Sequence, residues 1–367
     1  MKIEISFIGE VMLGREIGKS YTKNNHQIVD DLIKKKLVNS DFVFANLEAP
    51  VVRETDESDI MTFIAKPESL SQVDFIDGFS LANNHINDDG TKGILETISN
   101  LKEYGFLWNG FYEEKYEPLI VEKNNIKCAI ICCTDVLNKE ISDADLKLNL
   151  LWIDDVLVDE KIKQYKSNGY IVLLYVHGGI MFSRFPNPLF RNVLHSKMDQ
   201  GVDSIITVHP HVLGCTEEYK GKPIFYSLGD FIMDGHSDRR REAAIIKLVI
   251  NKDGVSSFEL TPTIITNELK TVMPSEKRNK KILKSWTSTS LKLEKNKNNY
   301  DEFYKKAFRK EILLHVFSTL EYQIKNKSFI EVVITLLTRF KDFKNMGRWM
   351  IKDTSKMRNN LEDKSML

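Results

Sequence analysis

The sequence predicts an α/β fold with two sheet halves, followed by a mainly helical C-terminal extension. Three observations carry that expectation. Short apolar runs at 79–85, 170–177 and 204–211 each stop on histidine, and runs of this length rich in Val and Ile are what buried parallel strands look like. The alternating runs 243–250 and 256–265 flank Lys252-Asp253-Gly254, a hairpin signal that closes a series of β units interleaved with helices. Near residue 267 the pattern changes, and lysine and asparagine crowd 277–299 before apolar residues resume helical spacing over 302–350. The expected division is therefore 1–266 for the α/β part and 267–367 for a basic, mainly helical extension.

From the N-terminus, 2–8 is a first strand, and Gly9 to Arg15 turn tightly after it, with Glu10 presented at the strand's carboxyl end. A helix is expected over 27–36, where Ile28, Leu32 and Ile33 share a face. The run 41–45 is a second strand that Pro50 stops. Asn46 and Glu48, two apart in an extended chain, point to one side. Residues 51–60 read as a charged loop and 67–73 as a helical stretch. The strand 75–81 follows, interrupted at Gly78, and Asn83-Asn84-His85 emerge from it. A helix over 93–104 carries Ile94, Leu95, Ile98 and Leu101 on its buried stripe, with Gly105 as its cap. Residues 118–122 and 127–133 form a hairpin or adjacent strands, and 150–168 is mostly helix. The strand 170–176 then delivers His177-Gly178-Gly179. A loop holding Pro186 and Pro188 leads to a helix through Gln200 and to the central strand 204–208. The last strand before the hairpin, 222–227, ends in Leu228-Gly229-Asp230-Phe231. In the extension, 277–299 reads as a linker, and Phe303, Ala307, Ile312, Leu313 and Val316 line one stripe of a helix packed on the front of the chain. Membrane-surface binding is its second reading.

Composition agrees with a packed domain: 42% of the 367 residues are hydrophobic and 28% charged. Net charge is zero but uneven. From Thr271 onward there are 22 Lys+Arg against 11 Asp+Glu, which leaves the front acidic by the same margin. Cys128, Cys132, Cys133 and Cys215 contain no CxxC pair, so buried reduced thiols are expected. The first strand starts at once, with no apolar leader before it, and no apolar run approaches ~18 residues. A cytoplasmic protein is expected, with the basic tail available for peripheral contact at the inner membrane.

The polar strand ends hold the chemistry. In open α/β sheets ligands bind beyond the carboxyl ends of the strands, and here those ends carry imidazoles, carboxamides and carboxylates. His209 and His211, two residues apart around a stiff Pro210, suit the grip of one or two cations. Joined by Glu10, Asn46, Glu48, Asn84, His85 and His177, they form a mixed nitrogen and oxygen set that suits Mn, Zn or Fe better than Ca or Mg. A two-cation centre needs a bridging carboxylate, and ions held ~3.5 to 4 Å apart would activate a water for attack on a phosphorus or carbonyl centre.

At this point the chain resembles a known family, the CapA-like proteins of bacterial capsule and poly-γ-glutamate biosynthesis, whose fold is similar to the calcineurin-like metallophosphoesterases. The resemblance covers about residues 1–250. It rests on GEVMLGR at 9–15, NLEAP at 46–50, LANNHINDDG at 81–90, HGG at 177–179, HPHVLG at 209–214 and YSLGDF at 226–231. It implies a two-sheet αββα sandwich. It also implies that Glu10 is a first-metal ligand, that Glu48 is the bridging carboxylate with Asn46 beside it, and that Asn84 holds the second metal. His177, His209 and His211 would complete the coordination, His85 would protonate the leaving group, and Arg15 would neutralise an anionic substrate. Four positions depart from the family pattern: Glu10 stands for the usual Asp, Met181 for a Glu, Val208 for a common extra His, and Asp230 for the usual Asn.

Two functions follow from different classes. One is a metal-dependent hydrolase of capsule or poly-γ-glutamate-like polymer biosynthesis, cleaving a phosphoester or an amide or ester bond of an anionic polymer or its precursor through a metal-activated water. The other is a non-catalytic accessory protein that binds polymer or a capsule-assembly partner. Nucleic-acid processing ranks below both, because the basic tail lacks interleaved stacking aromatics. His26, His195, His236 and His315 read as hydrogen-bonding residues outside the site. Asn83, Asp88 and Asp230 either orient ligands or cap turns.

Overall fold

The computed structural model describes residues 1–24, 27–55, 62–138, 141, 148–234 and 237–326. Its first third runs β1 (Ile3–Val11), α1 (Arg15–Asn24), α2 (Asp31–Leu37), β2 (Phe42–Leu47), β3 (Gly78–Ser80), α3 (Gly90–Glu103), β4 (Leu107–Asn109) and β5 (Phe111–Tyr112). Then come β6 (Leu119–Lys123), β7 (Ile126–Thr134), β8 (Asn149–Leu150), α4 (Val156–Ser167), β9 (Ile171–His177), α5 (Pro188–Asp199) and β10 (Ser204–Val208). The last part holds β11 (Thr216–Tyr219), β12 (Lys222–Phe225), β13 (Asp230–Ile232), β14 (Glu242–Asn251), β15 (Gly254–Ile265), β16 (Thr271–Val272), α6 (Glu276–Lys295) and α7 (Tyr300–Asn326).

Two sheets face each other. One is ordered β16-β15-β14-β1-β2-β3-β4, with β13 also paired to β1, and the other β11-β12-β10-β9-β7-β6. The strands that end in site residues run parallel to their neighbours: β1 to β2, β2 to β3, β7 to β9 and β9 to β10. Their carboxyl ends therefore gather at one edge of each sheet. The segments 118–122 and 127–133 settle as an antiparallel hairpin, and 243–265 as a second one.

Side-chain alternation builds four layers. Along β7, Cys128, Ile130 and Cys132 face the other sheet, whereas Ile131 and Cys133 face helices. Phe7, Phe44 and Tyr175 lock the space between the sheets, with the Phe44 and Tyr175 rings 5.2 Å apart edge to face. On one outer surface Ile33, Leu37, Ile94 and Leu101 cover the first sheet; on the other Val158, Ile162, Leu194 and Met198 cover the second. This is the expected αββα sandwich. All four cysteines are free and buried, as expected.

Several local expectations change. Residues 277–299 are not a linker: α6 spans most of them, its lysines hiding an amphipathic period in which Ile282, Thr289 and Leu293 are buried. The Ser275 side chain caps its start by accepting from Arg278 N, and Trp286 Nε1 donates to Thr216 Oγ1 at 3.1 Å, stitching the helix to β11. Leu32, Leu95 and Leu313 are exposed rather than on buried stripes. In α3 the inward position goes instead to Thr97, whose Oγ1 accepts from Val51 N at 2.8 Å and donates to Gly93 O at 2.6 Å. Helix α4 begins only at Val156, because Leu150 belongs to β8. Helix α1 and strands β11 and β13 had no clear sequence signal. His26, His236 and 327–350 lie outside the described residues. Among the described residues no helix is long and apolar enough to cross a membrane.

Candidate metal centre

Register delivers the first row of site residues. Glu10 on β1 is aligned with Asn46 on β2 and, on its other side, with Asp230 on β13. That neighbour can come so close only because residue 9 is glycine: a Cβ there would lie 1.8 Å from Gly229 O. The second sheet supplies His177 at the end of β9, aligned with Val208 on β10, after which the chain turns through His209, Pro210 and His211. Both histidines take left-handed backbone, φ 105° and 55°, a strained state for residues with a Cβ. The tension is held where two imidazoles must face the same point. Asn84 and His85 come from the turn after β3.

The predicted residues converge, and they are buried. His177 Nε2 lies 2.7 Å from Asn84 Oδ1, 3.1 Å from His209 Nδ1 and 3.8 Å from Glu48 Oε1. Four atoms with lone pairs thus crowd a space where only one or two can carry a proton. His211 Nε2 is 3.7 Å from the same Glu48 Oε1, and His177 Nδ1 is 3.6 Å from Glu10 Oε1. Asn46 Nδ2 donates to Glu10 and sits 3.3 Å from His177 Nδ1. Two triads result, Glu48 with His209 and His211, and Glu10 with Glu48 and His177, and Glu48 belongs to both.

Electrostatics test whether a cation fits. Burial pushes the Glu48 carboxyl well above the usual carboxylate range, the charges of Glu10 and Asp230 add to this, and Arg240 opposes it. Burial also raises Glu10, against the hydrogen bond from Asn46, with Asp230 reinforcing the rise. It drives the imidazoles of His177 and His209 well below their ordinary value, and neighbouring imidazoles push the same way. Both oxygens of Glu48 are fully buried and lack a hydrogen-bond partner among the described residues. Such a carboxyl costs several kcal/mol, roughly, unless something pairs with it. Neutral imidazoles, carboxamide oxygens and an orphaned carboxyl are the donor set of a divalent cation, so these residues fit one.

His85 stands beside this set. Its Nδ1 lies 2.7 Å from Asp88 Oδ2, its ring stacks on Phe63 at 3.8 Å, and Nε2 is 3.3 Å from Asn138 Nδ2. Burial lowers its pKa and Asp88 partly offsets that. Arg15 is held by Asp234, Nε to Oδ2 at 3.1 Å, over the Phe63 ring.

Asn83, Asp88 and Asp230 orient other residues of the site. Asp88 fixes His85, Asp230 Oδ1 is 2.7 Å from His211 Nδ1, and Asn83 Nδ2 donates to Leu47 O at 2.8 Å beneath Asn46. Of the departures, Val208 is packed in the core between the sheets, and Met181 is exposed. His195 bonds Glu217 and His315 stacks on Phe182, both outside the site. Sequence reasoning missed Asn138, which accepts from Asn84 Nδ2 at 3.0 Å, and Asp135, whose carboxyl burial pushes up to about 7. Asp135 N donates to His177 O at 2.9 Å. Neither residue lies in a motif that could have flagged it.

The chain is similar to known proteins. A family model described as bacterial capsule synthesis protein PGA_cap matches residues 4–235. The PGA biosynthesis protein CapA of Bacillus subtilis (strain 168) is 28% identical over 271 residues, 71% of each chain. The capsule biosynthesis protein CapA of Bacillus anthracis is 28% identical over 276 residues, 71% of this chain and 67% of that one. Among solved structures, a 5'-nucleotidase precursor from Thermus thermophilus aligns at TM-score 0.41 and 10% identity, covering 80% of this chain and 60% of that one, a likeness too low to bear on function. With the family model covering more than half of its length, including every residue of the proposed centre, the chain belongs to the bacterial capsule synthesis protein PGA_cap family.

Proposed function

We propose that the protein is a metal-dependent hydrolase of capsule or poly-γ-glutamate-like polymer biosynthesis, acting on a phosphoester or on an amide or ester bond of an anionic polymer or its precursor. The observation that supports this best is Glu48, shared by two ligand triads with both oxygens unpartnered among the described residues, the disposition expected of a carboxylate between two cations. Glu10, Glu48 and His177 would hold one ion, and Glu48, His209 and His211 the other, with Asn84 and Asn46 completing the set; Mn, Zn or Fe suits these donors. Bound there, the ions would lower the pKa of a water and polarise a phosphoryl or carbonyl oxygen.

The chain's own residues do the rest. His85 gives its proton to the leaving oxygen or nitrogen: Asp88 holds Nδ1, and Nε2, 3.3 Å from Asn138 Nδ2, is the nitrogen that turns to substrate. Burial lowers its pKa, and Asp88 offsets part of that fall, favouring the protonated ring that a donor needs. Arg15, fixed by Asp234 and Phe63, meets substrate charge near His85. The two CapA relatives, named for capsule and PGA biosynthesis, support an anionic polymer as the substrate class.

Elemental analysis of the purified chain, then turnover of bis(p-nitrophenyl) phosphate by wild type and His85→Ala, tests the reading. Bound metal with turnover that the substitution abolishes supports it. Metal without turnover on this or an amide substrate moves the protein to the accessory, polymer-binding role.

A further inference from the structure

Arg240 has no role in the reading above, yet its guanidinium reaches Asp230, the carboxylate abreast of Glu10. Its Nη2 is 3.5 Å from Asp230 Oδ2, and the other Asp230 oxygen contacts His211. That long contact uses one of five guanidinium donors. Its Nε is buried and has no partner among the described residues. The neighbouring arginines are committed. Arg184 grips Glu311 on α7 through Nε at 3.0 Å and Nη2 at 2.9 Å, and Arg239 bonds the carboxylate and, at 2.9 Å, the carbonyl of the same residue. Arg15 is tied to Asp234.

Contacts from the C-terminal extension hold Arg240 where it is. Its guanidinium lies 5.7 Å above the Phe182 ring, and the ring of His315 on α7 stacks on Phe182 at 3.7 Å and 4°. Phe182 is itself fixed, its N donating to Pro210 O at 2.8 Å between the two histidines of the centre. Glu311, one turn before His315, anchors Arg239, the residue preceding Arg240.

We propose that Arg240 is the residue that holds an oxyanion of the substrate, a phosphate or a carboxylate, against the centre, and that α7 sets its position through His315 and Phe182. This rests on the metal-dependent reading. Arg240 contacts the ligand; His315 is a positioning residue. A guanidinium with open donors beside a set of buried acids binds an anion more tightly once cations offset those acids, so the site recognises charge and metal together.

The test uses the full chain with its metal content measured, titrated calorimetrically with inorganic phosphate and separately with glutarate. Arg240→Ala is expected to keep its metal and lose about tenfold to a hundredfold in affinity for whichever anion binds tighter, the worth of a charged hydrogen bond. Arg240→Lys restores part of the loss as a point charge. His315→Ala weakens anion binding with metal unchanged, and His315→Phe, which keeps a flat ring on Phe182, restores it. The tighter anion identifies the substrate group. Equal affinities in wild type and Arg240→Ala, with metal intact in both, overturn the assignment alone. Absence of metal from both overturns the hydrolase reading, and the assignment with it.

Discussion

His211 Nδ1 lies 2.7 Å from Asp230 Oδ1, a histidine oriented by a carboxylate where the family pattern has an amide. The pair forms because β13 adds to β1 in parallel with Asp230 abreast of Glu10. A carboxylate fixes the ring so that Nε2 faces Glu48 and makes that nitrogen a stronger donor. Asp230→Asn is therefore expected to keep the fold and lower metal affinity about 10- to 100-fold, the usual effect of removing such a partner. Competition against a chelator of known affinity measures it; unchanged affinity removes Asp230 from any part in tuning the centre.

Glu48→Gln is the sharpest test of whether cations hold the centre. In the wild type, added metal should raise the thermal midpoint, since a ligand that binds only the folded chain stabilises it by mass action. In the variant that rise should vanish, and bound metal should fall to background. The metal-stripped variant should be at least as stable as the metal-stripped wild type, because a buried unpartnered carboxyl has been replaced by a neutral amide. Calorimetric scans with and without metal read both effects.

What could be read in advance divides along physical lines. Strands buried on both faces announce themselves as apolar runs, so 170–177 and 204–208 were legible, and so was the convergence of the polar residues that end them. The αββα layering came from the family resemblance rather than from periodicity. Helix α6 was hidden because its three buried positions are outnumbered by lysines, and short β13 because its residues adjoin the segment read as the end of the strand 222–227. Asn138, Asp234 and Arg240 were invisible for another reason. They reach the site from loops whose course depends on tertiary packing, and no local spacing marks them.

Glu217 predicts how the fold meets acid. Burial alone would raise its carboxyl, but hydrogen bonds from His195, Arg191 and Tyr226 outweigh that and hold it at about 2. A carboxyl depressed on folding stabilises the native state fully above its unfolded pKa of about 4.5, and that contribution is lost as pH falls from there through 2. Urea unfolding across this window should show stability falling with pH in the wild type. Glu217→Gln should flatten the fall by about one proton's worth of slope. A matching slope in both proteins would mean that other carboxyls carry the acid sensitivity.

Glu311 ties the extension to the sandwich, and its removal should be felt as a stability loss rather than only as a local change. Arg184 Nε and Nη2 bond its two oxygens, Arg239 bonds it as well, and the carboxylate is buried. Glu311→Ala leaves two largely buried guanidinia without their anion. Breaking a buried pair from one side costs roughly 3 to 5 kcal/mol, and the lower end applies because both arginines keep an edge in solvent. Urea unfolding should report a loss of about 3 kcal/mol with a single transition. A second transition would mean instead that α7 detaches before the sandwich unfolds, and a loss under about 1 kcal/mol would class the contact with exposed surface pairs.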